Sequence, residues 1–503
     1  MNLSGDPWVP VVLSDGESRL VSLGETFEKG EEILDLVATP PQRIALTRLL
    51  VCIAQAALDG PEDEPDWRSC RKRIAAAALE YLARHEACFE LFEDSGFLQV
   101  PNLTPSGNAT LDRLGFGLAA GNNATLFDHA ATPDGRLHSA SWSALALLTF
   151  QCFSPGGLIG STTWLDAPTS RSSEHAPCLE GSMLHSILRG ESLLTTVHLN
   201  LLTKDTISRA PNQAWGKPVW EYMPLGPSDP LIAETATTYL GRLVPISRAI
   251  KLQEEGTKVT LADGCRYPKL PHREPAATVI RRGKNEDLAY LGIDLSKHPW
   301  RELGSILGLS ASYLDGGAWV LGHLTGSDCA VDLWTGGLAA NKAKVLDVAE
   351  WTFHLPLTLV GSSELNKYRE GVELANRASS TLGGAITAYF EDLAVSEFKR
   401  NDKRSLDQRR RILDKAGGQY WRALDTCYGV LVKTATEPSR SLAAEWYGTV
   451  RAAMTEAYER SCPRHNARQL RAYAKGVQQL RLRKPNQSGA DEAAQTEARR
   501  REA

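Results

Sequence analysis

LNKYREGVELANRASSTLGGAITAYFEDL, residues 365–393, determines the architecture of the C-terminal part of the chain. Apolar and small residues recur here in alternating steps of three and four, the pattern of one seam along a long helix. A helix with a single apolar seam has to bury it against other helices, so this segment predicts a helical bundle. The seam consists of Leu365, Tyr368, Val372, Ala375, Ser379, Leu382, Ile386, Tyr389 and Leu393.

Three more helical segments follow this seam. They lie at about residues 406–431, at 442–458 after Pro438, and after Pro463. Because the connections between them are short, we expect an antiparallel four-helix bundle at residues 361–484. Residues 485–503 lack apolar periodicity and are predicted to be disordered.

Residues 1–360 have a different pattern. WVPVVL and RLVSL flank the turn SDGES and predict an N-terminal hairpin, and PPQRIALTRLLVCIAQAAL predicts the first long helix. Short helical segments, strands and loops then alternate without a βαβ rhythm. The 503 residues exceed one ordinary core. The predicted fold class is therefore α+β, a large mixed α/β N-terminal domain followed by a C-terminal four-helix bundle.

Composition narrows the class of protein. Hydrophobic residues make up 42%, charged residues 23%, and the formal net charge is −4, so any surface for a polyanion has to be local. The nine cysteines are scattered without a CxxC pair, which predicts buried free thiols and no bound metal. No apolar run approaches a membrane span, and we expect a cytoplasmic protein without a membrane partner.

Positive charge is concentrated in two clusters of the bundle region. No Asp or Glu occurs between residues 461 and 490, and the last helix is expected to turn Ala467, Leu470, Ala474 and Val477 toward the bundle. A solvated face is the alternative interpretation, but two clusters in an acidic protein favour contacts with nucleic-acid phosphates. The predicted contacts are Lys403 and Arg404 in the first cluster and Arg464, Arg468, Arg471 and Lys475 in the second.

A glycine-rich stretch, SPGGLIG at residues 154–160, points to a close approach of bare backbone. A phosphate, a groove edge of nucleic acid and a neighbouring strand are the three candidates. The stretch lacks the Lys-Ser/Thr of a phosphate-binding P-loop. A tight turn beside neighbouring backbone remains the structural alternative.

No catalytic motif is recognisable in the sequence. There is no Walker A sequence, no HExxH, no nucleophile elbow and no CxxC. We therefore predict a binding protein that is not an enzyme and holds no cofactor. A general nucleic-acid scaffold, and an enzyme with a dispersed active site, stay open as alternatives.

Several stretches resemble the landmark sequences of one known family and occur in the same order. They are MNLSGDPWVPVV with Trp8 and Pro10, LLVCIAQ, GNNATLFDH at residues 121–129, and SALALLTFQ leading into SPGGLIG. With the α+β body and the C-terminal bundle, the chain resembles CasA, the large subunit of the type I-E CRISPR complex Cascade. The resemblance implies a non-catalytic subunit that recognises the protospacer-adjacent motif of target DNA, helps start strand separation and R-loop formation, and helps recruit the helicase-nuclease.

The resemblance also implies partners and roles for individual residues. The partners are the other Cascade subunits, the CRISPR guide RNA, double-stranded target DNA and the helicase-nuclease. Two positions depart from the family. Asp328 stands where the family has a side-chain amide, and Leu158 and Ile159 make this glycine loop bulkier than the barest loops of the family. The loop that anchors the guide RNA would include Asn123, Phe127 and His129. The motif in DNA would be contacted by the glycine loop, at Gly156, Gly157 and Gly160, and by a basic side chain reaching from the loop GCRYPK, the basic finger, which is Arg266 or Lys269. Ser327 and Asp328 would form the wedge that separates the first base pair.

Overall fold

The fold is known from a computed structural model, which describes residues 1–93, 95–105, 109–118, 128, 135–211, 213–253, 256–324, 331–360, 362–397, 403–437 and 439–482. The chain divides into two units. One consists of Met1–Pro299 and Ser305–Leu357, and the other consists of Trp300–Gly304 and Thr358–Ala503.

Helices and strands alternate irregularly in the first unit, and helices dominate the second. The helices are α1 Leu23–Glu28, α2 Pro40–Leu58, α3 Glu64–Arg84, α4 Ala140–Phe153, α5 Leu193–Leu199, α6 Lys204–Arg209, α7 Leu231–Thr237, α8 Tyr239–Leu243, α9 Leu303–Ile306, α10 Ser362–Glu397, α11 Lys403–Asp425, α12 Tyr428–Thr436, α13 Arg440–Ser461 and α14 Ala467–Val477. The strands are β1 Val9–Leu13, β2 Ser18–Val21, β3 Ile33–Leu36, β4 Gly157–Leu158, β5 Thr163–Trp164, β6 Ala167–Pro168, β7 Ser172–Ser173, β8 His185–Arg189, β9 Arg248–Leu252, β10 Val259–Asp263, β11 Val279–Arg282, β12 Asp287–Tyr290, β13 Val331–Asn341 and β14 Lys344–Leu355.

The strands of the first unit form small antiparallel sheets. The predicted N-terminal hairpin is β1 and β2, to which β3 adds in the order β2-β1-β3. A second sheet has the order β14-β13-β8, and four two-stranded ribbons pair β9 with β10, β11 with β12, β4 with β7 and β5 with β6. The mixed α+β class predicted from the sequence is confirmed.

The core of the first unit is built around α2. The helical spacing of the sequence puts Leu46, Leu50, Ile53 and Ala57 on one side of this helix. In the structure, however, every residue from Ile44 to Gln55 is buried. The reason is that α3, α4, α5, α8 and β13 all pack against α2. A helix covered on several sides is apolar around most of its circumference, so its sequence shows only a weak one-sided pattern.

A buried ion triad fastens α2 to the segment after β10. Glu274 accepts hydrogen bonds from Arg48 at 2.8 Å and from Arg242 at 2.9 Å, and the three side chains are at most 5% exposed. Arg48 also donates to the carbonyl oxygens of Leu243 and Arg242. Burial by itself would raise the pKa of Glu274, but the two guanidiniums outweigh burial and lower this pKa to about 2.

The second unit is a helical bundle, as predicted. Along α10, Leu365, Tyr368, Ala375, Leu382 and Ile386 are buried, which confirms the seam. The second predicted helix, at residues 406–431, is divided into α11 and α12 by a break at residues 426–427. At this break Asp425 accepts a hydrogen bond from the Trp300 indole at 2.7 Å, and the Thr426 hydroxyl donates to the Ala423 carbonyl.

The ion triad predicts a specific loss of stability. Glu274→Gln should lower the free energy of unfolding by about 3–5 kcal/mol at pH 7, because it leaves two buried guanidiniums without their anion. The folded-state pKa of Glu274 is depressed, so its stabilisation is present above the unfolded pKa of about 4.3 and is lost as pH falls toward 2. Chemical denaturation of both proteins between pH 3 and pH 7 measures the difference.

Asp205→Asn is the matched control. Asp205 pairs with Arg209 one helical turn away, and the two side chains are 47% and 60% exposed, so its neutralisation should cost less than about 1 kcal/mol. A Glu274→Gln protein as stable as the control at pH 7 would contradict a stabilising role for the triad.

Candidate nucleic-acid interface

The glycine stretch forms one edge of a two-stranded ribbon. We call residues 154–176 the glycine ribbon. In it β4 pairs with β7, with Gly157 opposite Ser173 and Leu158 opposite Ser172, and β5 pairs with β6 further along. The chain reverses at Leu165 and Asp166, which have left-handed φ values of 41° and 36°. Phosphate-binding loops lead into the N-terminus of a helix. The glycine stretch instead leads into a two-stranded ribbon.

The three predicted glycines differ in what the fold requires of them. Gly157 has φ +132°, which only glycine adopts without strain, and a β-carbon on Gly156 would lie 3.0 Å from the Ser173 carbonyl oxygen. Gly160 has no such constraint, because the nearest atom to an added β-carbon is the Leu261 oxygen at 3.8 Å. The structural interpretation thus explains Gly156 and Gly157 in part and leaves Gly160 without a structural reason.

One buried arginine holds the base of the ribbon. Arg248, the first residue of β9, donates from one guanidinium nitrogen to the Pro155 carbonyl at 2.8 Å and to the Glu174 carbonyl at 2.7 Å. Pro155 precedes β4 and Glu174 follows β7, so a single group joins the two sides of the ribbon at its base. Burial lowers the pKa of Arg248 to about 10, which still leaves the guanidinium charged at neutral pH. The Ser154 and Ser247 hydroxyls add a contact of 2.9 Å.

The far end of the ribbon is also attached to the body. Trp164 is buried and donates from its indole nitrogen to the Pro101 carbonyl at 3.0 Å. Thr162 donates to the Thr104 carbonyl at 2.7 Å, and the Leu165 amide donates to the Asn102 carbonyl at 3.0 Å. Both ends of the ribbon are therefore attached to the body. The exposed residues of the glycine ribbon are Gly157, Leu158, Gly160, Ser161, Thr163, Leu165, Asp166, Pro168, Arg171, Ser172 and Glu174.

A lysine-bearing hairpin turn lies beside the ribbon. Ala343, in the turn between β13 and β14, is 3.4 Å from the position of a β-carbon on Gly157. Lys342 in this turn has φ 55°, and Lys342 and Lys344 are both exposed. Sequence reasoning missed this 341–344 turn. The available signal was the polar Asn-Lys-Ala-Lys between two long runs of strand-forming residues.

Each of the two candidate basic fingers has an acidic partner. Arg266 is 53% exposed and donates to Asp263 at 3.2 Å. Asp263 is the last residue of β10, the strand whose Leu261 carbonyl borders Gly160. Lys269 is 61% exposed, and its ammonium lies 3.9 Å from Glu180.

Some predicted contacts lie outside the described residues. These are the wedge candidates Ser327 and Asp328 and the guide-RNA candidates Asn123, Phe127 and His129. In the bundle, Lys403 and Arg404 lie at the N-terminal end of α11. Their roles stay predictions.

The basic residues around α14 are partly occupied by contacts within the bundle. Arg468 donates to the Leu393 carbonyl, and Arg471 donates to Asp392 at 2.8 Å. The Arg464 guanidinium lies 5.0 Å from the centre of the Tyr473 ring. Lys475 is exposed, and no ion pair joins it to another described residue. Of the four phosphate contacts predicted around α14, Arg464 and Lys475 are therefore the most available.

The expected orientation of α14 is wrong. Leu470 and Val477, predicted to face the bundle, are 54% and 42% exposed, and Ala467 and Ala474 are exposed as well. The buried face instead carries Ala472 and Gly476. A β-carbon on Gly476 would lie 2.7 Å from the Ala385 oxygen of α10, so the helices meet through their smallest side chains. Close approach at glycine thus outweighs burial of the larger apolar residues.

The described residues show neither a metal-ligand cluster nor a membrane span. No cluster of three or more His, Cys, Asp or Glu side chains there could hold a metal ion. Likewise, within the described ranges, no helix is both long enough and apolar enough to cross a membrane. The cysteines that the structure describes are free, and most are buried, with Cys88 and Cys427 partly exposed.

The fold defines the class as a large α+β protein that ends in a helical bundle and presents a ribbon fixed at both ends. Within this class, the chain belongs to the CRISPR-associated protein Cse1 family, whose model matches residues 2–457.

Known relatives agree with this assignment. The chain is 29% identical to CRISPR-associated protein CasA/Cse1 of Thermus thermophilus over 95% of its own length and 96% of that protein's. It is similar to the crystal structure of Thermus thermophilus CasA, with a TM-score of 0.77, 23% identity, and coverage of 95% and 98% of the two chains. A chain of a solved CRISPR RNA-guided surveillance complex has a TM-score of 0.73 and 16% identity, over 95% of this chain and 99% of that one.

Proposed function

We propose that this protein is the large subunit of a type I-E CRISPR surveillance complex, Cascade, and that it recognises the motif flanking the target in double-stranded DNA. The observation that carries the proposal is the glycine ribbon, whose exposed edge is nearly bare backbone and whose two ends are fixed to the body. Family membership supplies the context, and the ribbon supplies a physical means of recognition.

The minor groove explains why the edge carries glycines. This groove is only about 6 Å wide and presents mainly hydrogen-bond acceptors together with the guanine amino group. A reader there has to be slim, and a backbone edge without side chains meets that requirement. Fixing the ribbon in advance also lowers the entropy lost when DNA binds. If the stretch were only a tight turn beside neighbouring backbone, the fold would give no reason for glycine at position 160. Gly160 is therefore the position that best distinguishes minor-groove recognition from a purely structural role.

Basic side chains around the ribbon would hold the phosphates. Arg171 lies on the opposite strand, the 341–344 turn carries Lys342 and Lys344, and Arg266 or Lys269 would serve as the basic finger. These contacts position DNA without reading its sequence. Because the 341–344 turn borders Gly157, we add it to Ser327 and Asp328 as a candidate for starting strand separation.

The proposed partners follow from the same assignment. The fold is shared with a chain of a CRISPR RNA-guided surveillance complex, which supports other Cascade subunits and a guide RNA as partners. Asn123, Phe127 and His129 would anchor the guide RNA. The bundle would contact the DNA backbone and help recruit the helicase-nuclease. In this role the chain binds and positions nucleic acid, and cleavage belongs to the recruited enzyme.

Gly160→Asp tests the glycine ribbon with least disturbance of the fold. In the assembled complex, binding of a double-stranded target with the correct flanking motif should weaken about tenfold or more, since the carboxylate would occupy the groove edge near phosphates. Binding of a single-stranded complementary target should stay within about twofold, because it requires no motif recognition. Electrophoretic mobility shifts with both substrates measure the two affinities.

Gly160→Ala is the matched control: the fold accommodates its methyl group, so it should weaken double-stranded binding less than Gly160→Asp, which adds a charge as well. Gly157→Asp is a less direct test, because its φ of +132° adds backbone strain and its side chain would point toward Ala343. If Gly160→Asp weakens both substrates equally, the ribbon only supports the fold and the proposed recognition is wrong.

The basic face of α14 gives a separate prediction. Arg464→Glu combined with Lys475→Glu should weaken DNA binding by the complex equally for all flanking motifs, because phosphate contacts carry no direct sequence information. The slope of log affinity against log salt should fall by roughly one for each lost contact. Arg468 and Arg471 are left unchanged because both hold α10.

The control for this variant is Arg460→Glu on α13, which reverses an exposed charge that already pairs with Glu456. An unchanged salt slope in the double variant would show that the basic face is merely solvated.

A further inference from the structure

Leu158 is the large side chain on the otherwise bare edge of the glycine ribbon. It is 93% exposed, the highest value among the large apolar residues that the structure describes. Single exposed leucines are common on protein surfaces and need no explanation by themselves. This one differs because it lies in a paired strand, opposite Ser172, on a ribbon that is fixed at both ends.

The pleat of the strand sets the direction of this side chain. Successive residues of a strand point to opposite faces. Ile159 is half-buried, so its side chain faces the body, while its amide donates to the Arg171 carbonyl at 3.0 Å and extends the strand pairing. An added β-carbon on Gly157 would point at Ala343. Leu158 is therefore left on the outer face, between Gly157 and Gly160, where a bound duplex would lie.

We propose that Leu158 determines sequence specificity by excluding a G·C pair at the one base pair of the flanking motif that it faces. This inference rests on the proposed function and adds a rule to it. In the minor groove an A·T pair presents only acceptors, and a G·C pair adds the guanine amino donor at the floor of the groove. A leucine side chain cannot accept that hydrogen bond and fills the space that the amino group would need.

The penalty arises from an unmatched donor. When Leu158 displaces water from the floor of the groove, a guanine amino group there would be buried without an acceptor, which is unfavourable. An A·T pair buries no such donor at the same place. Arg171, exposed on the opposite strand, can hold a phosphate in either case, so its contact adds affinity and not selectivity.

A randomised flanking motif tests the inference. The complex assembled with the native chain should disfavour G·C at one position by about tenfold or more. Leu158→Ala should remove most of that discrimination at this position and leave the other positions unchanged. Leu158→Asn supplies an acceptor and should shift the preference at the same position toward G·C. Sequencing of the bound duplexes gives the preference at each position.

The controls separate this inference from the function on which it rests. Leu295→Ala removes another exposed leucine, 49% exposed, and should keep the native preferences. If Gly160→Asp abolishes motif recognition while Leu158→Ala keeps every native preference, the inference fails and the proposed function stands. A native complex that tolerates G·C at every position would overturn the inference, as would an equal loss of affinity by Leu158→Ala for all motifs.

Discussion

A single buried guanidinium, that of Arg248, sets the geometry on which the proposed recognition depends. It joins the carbonyl of Pro155, just before β4, to the carbonyl of Glu174, just after β7, and so closes the base of the glycine ribbon. The Gln151 side chain fixes β9 in turn, because its amide donates to the Arg248 carbonyl and its oxygen accepts from the Arg248 amide. The ribbon is thus attached to α4 and β9 before any ligand binds, and its bare edge is ready for contact without first becoming ordered.

Charge is divided between surfaces rather than spread over the chain. The formal net charge is −4, yet exposed cations lie near the ribbon at Arg171, Lys342 and Lys344 and on the bundle at Lys475. Such local clusters can hold phosphates while the remaining acidic surface avoids non-specific binding. The ribbon would supply selectivity through shape and through Leu158, and the cations would supply affinity. A surface that used charge alone would bind every duplex equally well.

The sequence predicts features that depend on local periodicity and fails where packing at a distance decides. The seam from Leu365 to Tyr389 was predictable because a long helix with one buried side leaves a regular pattern. The same reasoning placed Leu470 and Val477 toward the bundle and was wrong, since contact through Gly476 depends on the shape of α10. The hydrogen bonds from Arg248 to the Pro155 and Glu174 carbonyls were not predictable either, because these partners lie about 70 to 90 residues earlier in the chain. Glycine content marked the ribbon, but the 341–344 turn beside it became visible only in three dimensions.

A cryo-electron microscopy structure of the complex assembled with this chain, a guide RNA and a target duplex tests the central claim most directly. The account predicts that the backbone at residues 157–160 lies in the minor groove of the flanking duplex, with atoms within about 4 Å of base edges. It also predicts that Arg248 keeps its contacts with Pro155 and Glu174 in that complex. A ribbon that faces solvent or another protein subunit while the flanking duplex is bound elsewhere would contradict the account.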